Sequence, residues 1–274
     1  MADVLQKPAG PYEPRGRLDP EGFAQRIRFL ALRPPPSLAP FVEHGWVVAW
    51  DQQEAYSSPE VMHRPYVDIF VSATGGGIQG TFRGKRTYEA AGRGRIVGVR
   101  FRPAGFHAFW SGEMAELQDR MFGLPALFPT FDETAAAEIL EQDDEAATGL
   151  LFRRLEALRP EPDPAVEQVN RIIAAIEADD ALGTVHAVSK CVGRSERWLQ
   201  QLFREYVGVG LKWFLQRRKL LAAAERVRSE REPNWAALAY DLGYSSQQHF
   251  ITDFRKVLGS TPLQYRRSFE PTDR

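Results

Sequence analysis

Cysteine is nearly missing from this chain, with Cys191 standing alone in 274 residues. A single thiol excludes an internal disulfide and any zinc site built on several cysteines, so the composition fits a reducing cytosol. Cys191 itself is expected to pack inside a helix. No apolar run approaches the roughly 20 residues that span a bilayer, and Met1-Ala2-Asp3-Val4 lacks both the basic start and the apolar stretch of a signal peptide. A cytoplasmic chain without membrane contact is expected. Paired metal ligands are scarce as well. His44, His63 and His107 are scattered with no His-x-His spacing, which argues against metal-dependent chemistry and leaves no cofactor or catalytic residue to expect.

Charge is balanced overall, at −1, yet unevenly placed. Residues 184–274 carry 16 Lys and Arg against 9 Asp and Glu, whereas residues 1–183 carry 19 against 27. A basic end joined to an acidic remainder suits a polyanion-binding module beside a part that stays off the polyanion.

Along the chain, residues 1–20 are rich in Pro, Gly and charge and read as a flexible arm. Pro34-Pro35-Pro36 stops any helix begun at Glu21. Between Phe41 and Phe101, short β-branched and aromatic runs bounded by Gly and Pro predict strands: Trp46–Trp50, Tyr66–Val71 and Gly94–Phe101. Beyond Pro103, the spacing of Phe106, Phe109, Trp110, Met114, Leu117 and Met121 predicts helices closing over that sheet. Two more helices are expected at Thr134–Leu140 and Ala146–Leu158. The first domain, 21–159, is thus α+β and rich in strand. Three prolines in residues 160–164 mark an extended linker, and Asp163 with Pro164 begins a helix whose Val166, Val169, Ile173 and Ile176 form one stripe. Residues 165–274 read as all-helical.

This helical part repeats itself. Phe203-Arg204-Glu205-Tyr206-Val207-Gly208 is echoed 51 positions later by Phe254-Arg255-Lys256-Val257-Leu258-Gly259, and Phe214 and Tyr265 each fall eleven residues beyond the phenylalanine. Each copy follows a short apolar helix, a glycine and a polar turn, the layout of a helix-turn-helix. The first unit is read as Val185–Val192, Gly193, a Ser195 cap and a recognition helix Glu196–Tyr206. The second is Trp235–Leu242, Gly243, a cap at Ser245 or Ser246, and Gln247–Val257. One long helix from Gly210 to about Arg228 joins them. With Leu199, Leu202 and Phe203 turned inward, Arg197, Gln200, Gln201 and Arg204 are left for DNA. In the second unit Ser246, Gln247, Gln248, Ile251, Thr252 and Arg255 are left, and Arg217 in the connecting helix is expected on phosphates.

The segment Trp235-Ala236-Ala237-Leu238-Ala239-Tyr240-Asp241-Leu242-Gly243-Tyr244, followed by Ser246-Gln247, His249-Phe250, Phe254-Arg255, Gly259 and Thr261-Pro262-Leu263-Gln264-Tyr265-Arg266-Arg267, resembles the AraC family of bacterial transcription regulators over roughly 100 residues. The resemblance implies two DNA readers per chain, with base contacts by Arg197, Gln200, Gln201, Gln247, Gln248 and Thr252. It also implies a structural role for Arg218. Threonine at position 252 departs from the arginine frequent there in the family, so the second reader is expected to lean on phosphates. The family commonly joins this half to a sensor, often cupin-like, and Gly92–Phe106 looks like a segment of one branch of such domains.

Two domains follow: a β-rich, cupin-like sensor with added helices, and an all-α domain of two helix-turn-helix units joined by a long helix. The function implied is sequence-specific transcription regulation under control of a small molecule. Double-stranded DNA, the effector, a second copy of the chain and, for an activator, RNA polymerase are the expected partners. An effector pocket is expected from Trp46, Trp50, Tyr66 and Phe70 for apolar contact, with His63, Asp68 and Arg100 as polar groups. The alternative is an enzyme whose cupin-like pocket is tethered to a DNA-binding module. Gly75-Gly76-Gly77-Ile78-Gln79-Gly80 has the letters of a dinucleotide fingerprint, but no helical period follows it, so a glycine-rich hairpin is expected instead.

Overall fold

The computed structural model describes residues 18–61, 64–230 and 234–269. His63 and most of the expected arm, residues 1–17, lie outside them.

The N-terminal part is one antiparallel sheet of six strands in the order β1-β2-β5-β3-β4-β6. The strands are β1 (Arg28–Leu32), β2 (Val42–Val61), β3 (Asp68–Ser72), β4 (Gly75–Gln79), β5 (Lys85–Phe101) and β6 (Met121–Gly123). Period-two alternation gives the sheet two unlike faces. Val47, Ile69, Val71, Ile78, Val97 and Val99 are fully buried on one. That face packs beneath α2 (Glu133–Leu140) and α3 (Asp144–Ala157). The approach of α3 is close, since a Cβ on Gly45 would stand 2.2 Å from Thr148 Cγ2. Asp144 at the start of α3 ion-pairs with Arg28 of β1 and Arg95 of β5, tying helix to sheet. The other face carries Trp46, Trp50 and Phe70, and the outer halves of β2 and β5, beyond a register shift at Gln52/Tyr56, fold over it. The glycine-rich hairpin expected at 75–80 is the β3–β4 hairpin, which turns at Ala73-Thr74 and has Gly75, Gly76 and Gly77 paired within β4.

Several expectations need correction. Residues 18–20 are not a flexible arm: Leu18 is buried, and Asp19 caps α1 (Pro20–Arg26) by accepting from the Gly22 amide at 2.9 Å. That helix ends at Ile27, and the chain then pairs with β2 as a strand the periodicity did not reveal. Residues 106–121 form two short 3₁₀ turns, Gly105–Phe109 and Met114–Leu117, not helices. Cys191 is exposed rather than packed.

The C-terminal part is helical: α4 (Pro164–Ala178), α5 (Val185–Val192), α6 (Glu196–Val207), α7 (Leu211–Ser229), α8 (Trp235–Asp241), α9 (Gln247–Leu258) and α10 (Pro262–Arg267). The linker does not separate two cores. Ile172 joins the expected stripe of α4, and one continuous apolar cluster runs from Leu38 through the sheet, α4, α5 and α6 to Leu215. A second, smaller cluster holds Leu220, Ala223, Ala224 and Val227 of α7 with Leu238, Phe250, Phe254, Leu258 and Tyr265. The long helix α7 therefore belongs to both.

Candidate DNA-binding surface and N-terminal cavity

Each reader is built by the same local chemistry. Gly193 (φ +68°) and Gly243 (φ +72°) make the turns, a left-handed conformation that costs other residues about 1–2 kcal/mol. Ser195 accepts from the Trp198 amide and Ser246 from the His249 amide, each at 3.2 Å, so a serine caps both recognition helices. Leu199 and Phe203 in α6, and Phe250 and Phe254 in α9, are fully buried. That fixes the opposite faces outward. Arg197, Gln200, Gln201 and Arg204 are exposed on α6, as are Gln247, Gln248, Thr252 and Arg255 on α9 with the capping Ser246. Ile251 is half-buried against the second core. The Thr252 hydroxyl donates to the Gln248 carbonyl at 2.9 Å, turned back on its own helix. Arg218 donates to Asp180 at 2.6 Å and bonds the carbonyl of Asp179, holding α7 to the end of α4.

Arg217 contradicts its expected role. It is 2% exposed and its Nη2 donates at 3.0 Å to the carbonyl of Phe82, in the N-terminal part. Burial pushes its guanidinium down to about 10. Its Cζ lies 4.8 Å from the Trp213 ring centroid. A phosphate contact from this position is excluded by the packing. The sequence did contain a signal, because Trp213, Arg217, Leu220 and Ala224 fall on one helical stripe that is otherwise apolar.

Other contacts join the N-terminal part to the readers. The Ala104 amide donates to Asn170 Oδ1 of α4 at 3.2 Å, and Arg64 pairs with Glu177 at 3.3 Å while also meeting Glu43. The His107 and Tyr206 rings are 4.3 Å apart. Gly208, which ends α6 at φ +78°, sits so close to the 3₁₀ turn that a Cβ there would stand 2.4 Å from the Met114 carbonyl oxygen. The first two contacts fall on α4 and the last two at the C-terminal end of α6, and they leave the exposed residues at the start of α6 uncovered.

The second face of the sheet lines a partly open cavity of about 290 Å³, near the lower end of the roughly 300–1,000 Å³ usual for small-molecule sites. Of the expected residues, Trp46, Trp50, Asp68, Phe70 and Arg100 line it. Tyr66 does not: it is 1% exposed, paired with Phe82 behind the cavity, with the Arg100 guanidinium 3.7 Å over its ring. The cavity is also lined by Phe23 and Ile27 of α1 and by Phe29, His44, Val48, Ser58, Gln79, Tyr88, Glu89, Ala90, Ile96 and Met121, none of them among the residues expected there. Alternation along β2 already placed His44 and Val48 with Trp46 and Trp50; the rest depend on pairing register across distant strands.

Asp68 accepts from Arg100 Nε at 2.9 Å and Nη2 at 2.7 Å, a bidentate pair. Buried His44 is held well below 6.5, first by desolvation and then by Arg100 and Arg64. The Gln79 amide is clamped by Tyr88, through 3.0 and 3.2 Å contacts, and by Arg86. Among the described residues, no three His, Cys, Asp or Glu side chains are grouped to hold a metal ion, and no helix is long and apolar enough to cross a membrane.

Two exposed capped helices per chain, set on glycine turns, define a tandem helix-turn-helix protein, and comparison with known sequences agrees. A family described as a helix-turn-helix domain matches residues 188–268, and one described only as a domain of unknown function matches residues 30–122. Regulatory protein SoxS of Escherichia coli (strain K12) is 38% identical over 82 residues, covering 30% of this chain and 76% of SoxS. The arabinose operon regulatory protein of the same organism is 27% identical over 144 residues, 51% of this chain and 46% of that one. A solved structure of ToxT from Vibrio cholerae aligns over 88% of this chain and 98% of its own at 10% identity, with a TM-score of 0.40. The chain belongs to the AraC family of transcription regulators. It is a DNA-binding regulator with a sheet-rich N-terminal part and a helical C-terminal part.

Proposed function

We propose that this regulator reads its operator through the exposed starts of α6 and α9 and answers to a small molecule held in the N-terminal cavity, without catalysing a reaction. What supports the reading is that one chain joins two uncovered recognition helices to a partly open, mostly apolar cavity. Arg197, Gln200 and Gln201 read base edges, Arg204 and Arg255 hold phosphates, and Gln247 and Gln248 read the second half of the site. Thr252, bonded to its own helix, contributes little to readout. The cavity reaches α7 through packed groups: Arg100 lies on Tyr66, Tyr66 packs with Phe82, and the Phe82 carbonyl holds Arg217. A ligand that shifts Arg100 acts on the helix joining the two readers. A second copy of the chain, and RNA polymerase where transcription is raised, complete the assembly.

Mapping of bound genomic sites, followed by gel-shift titration of the recovered operator, tests the DNA half. Arg197→Ala is expected to cost about 1–3 kcal/mol on the operator and to relax preference at one base position. Equal losses on operator and random DNA would remove Arg197 from the readers.

A further inference from the structure

We infer that the cavity takes an uncharged, flat aromatic molecule, an inference that rests on reading the cavity as the effector site. The walls are slabs of aromatic ring. A Cβ on Gly94 would stand 2.2 Å from the Trp50 ring, and one on Gly98 would stand 2.4 Å from the Trp46 ring. The strand opposite each indole has therefore given up its side chain, and the rings lie directly on backbone. Phe70 lies against Gly77 in the same way, its ring 3.1 Å from where a Cβ would be. Rings laid flat on a sheet present their faces to the space above it, and such faces suit offset stacking with another ring better than they suit a bulky aliphatic body.

The ionic groups argue for the absence of charge. Arg100 is the cation that lines the cavity, and its Nε–Nη2 edge already meets Asp68. The same guanidinium covers Tyr66. An incoming carboxylate would stand among the carboxylates of Asp68 and Glu89, with Arg100 paired to Asp68 and Arg86 bonded to Gln79, and desolvating such a poorly matched ion is costly. An ammonium group meets the converse difficulty, since Asp68 is paired with Arg100, which repels it, and Glu89 is held by the Ser57 hydroxyl at the exposed side of the lining. His44, kept neutral by burial and by Arg100 and Arg64, offers no positive charge to an anion. The neutral polar groups in the lining include the mutually bonded Gln79 amide and Tyr88 hydroxyl, and the Gln79 amide nitrogen carries a second N–H beyond the one given to Tyr88. They suit a hydroxyl or carbonyl oxygen on the ligand.

Equilibrium dialysis of the full chain at neutral pH against naphthol, naphthoate and naphthylmethylammonium tests this, because one ring system then carries no charge, a negative charge or a positive one. Naphthol is expected to bind at least about tenfold more tightly than either ion, a difference of roughly 1.4 kcal/mol. Equal or tighter binding of naphthoate or the ammonium overturns the ligand class while leaving an effector site in place. Binding by none of the three overturns the effector reading with it. Asp68→Asn uncovers the Arg100 charge and is expected to raise naphthoate affinity relative to naphthol about tenfold; an unchanged ratio contradicts the argument from the ion pair. Should that variant fail to fold, the double variant Asp68→Asn with Arg100→Gln removes both charges and is expected to keep the preference for naphthol. Loss of that preference also overturns the inference.

Discussion

A guanidinium that is 2% exposed and bonded to a carbonyl of another part of the chain holds pieces of protein together, whatever its charge suggests. Arg217→Ala is therefore expected to lower stability by about 2–4 kcal/mol, from a buried hydrogen bond and a cavity lost together. The salt dependence of DNA binding should stay as in the wild type, where loss of a phosphate contact would flatten the slope by about 1. Urea unfolding and gel shifts at several salt concentrations separate the two roles. His44 supplies a pH dependence of definite sign. In the unfolded chain it takes a proton near 6.5, whereas in the folded chain desolvation, Arg100 and Arg64 hold it neutral well below that value. Its contribution is complete above about pH 6.5 and is lost as the pH falls, by up to about 1.4 kcal/mol per unit, because the unfolded state then binds the additional proton. Unfolding free energies of wild type and His44→Gln between about pH 7.5 and pH 5 check this. The variant should show the shallower fall, and equal slopes would contradict the assignment.

Elements show which glycines carry packing as well as turn geometry. Gly193 and Gly208 share a left-handed backbone, but nothing lies within 4 Å of a Cβ at Gly193, whereas one at Gly208 meets the Met114 carbonyl. Gly193→Ala is expected to cost about 1–2 kcal/mol, and Gly208→Ala roughly 3 kcal/mol or more, since it also separates α6 from the 3₁₀ turn. Denaturant titration of both variants decides it; equal costs would mean that the docking of α6 carries no strain. The helix-turn-helix units were legible in sequence because their signals are local. A serine cap, a glycine turn and a 3.6-residue stripe lie within a dozen residues of one another, and α5, α6, α8 and α9 start where those signals place them. The cavity was half legible. Alternation along β2 and β3 sets Trp46 with Trp50 and Asp68 with Phe70 on one face, but Gln79 and Tyr88 enter only through pairing, and Phe23 only because α1 folds back over β2. Strand β1 went unseen because Phe29, Leu30, Ala31 and Leu32 form a run without alternation. Arg217 misled because charge is visible in sequence and burial between distant segments is not.

For the whole molecule, the division of apolar packing differs from the division of the sequence. The larger cluster unites the sheet with the first reader, and the smaller one holds the second reader on the far half of α7, with Leu18 as its one buried residue from the N-terminal part. Separate cores open with separate free energies. Calorimetry is expected to show two transitions, of which Phe254→Ala lowers only the smaller. A single transition that shifts as one would mean that α7 couples the clusters fully.

That arrangement has an evolutionary corollary. With one reader fused to the sensing body and the other mounted on the end of a shared axle, residues 234–269 can be exchanged with those of a relative while leaving the remaining grip intact. Binding preferences then drift one half-site at a time, and a promoter need never lose its regulator entirely while its sequence changes.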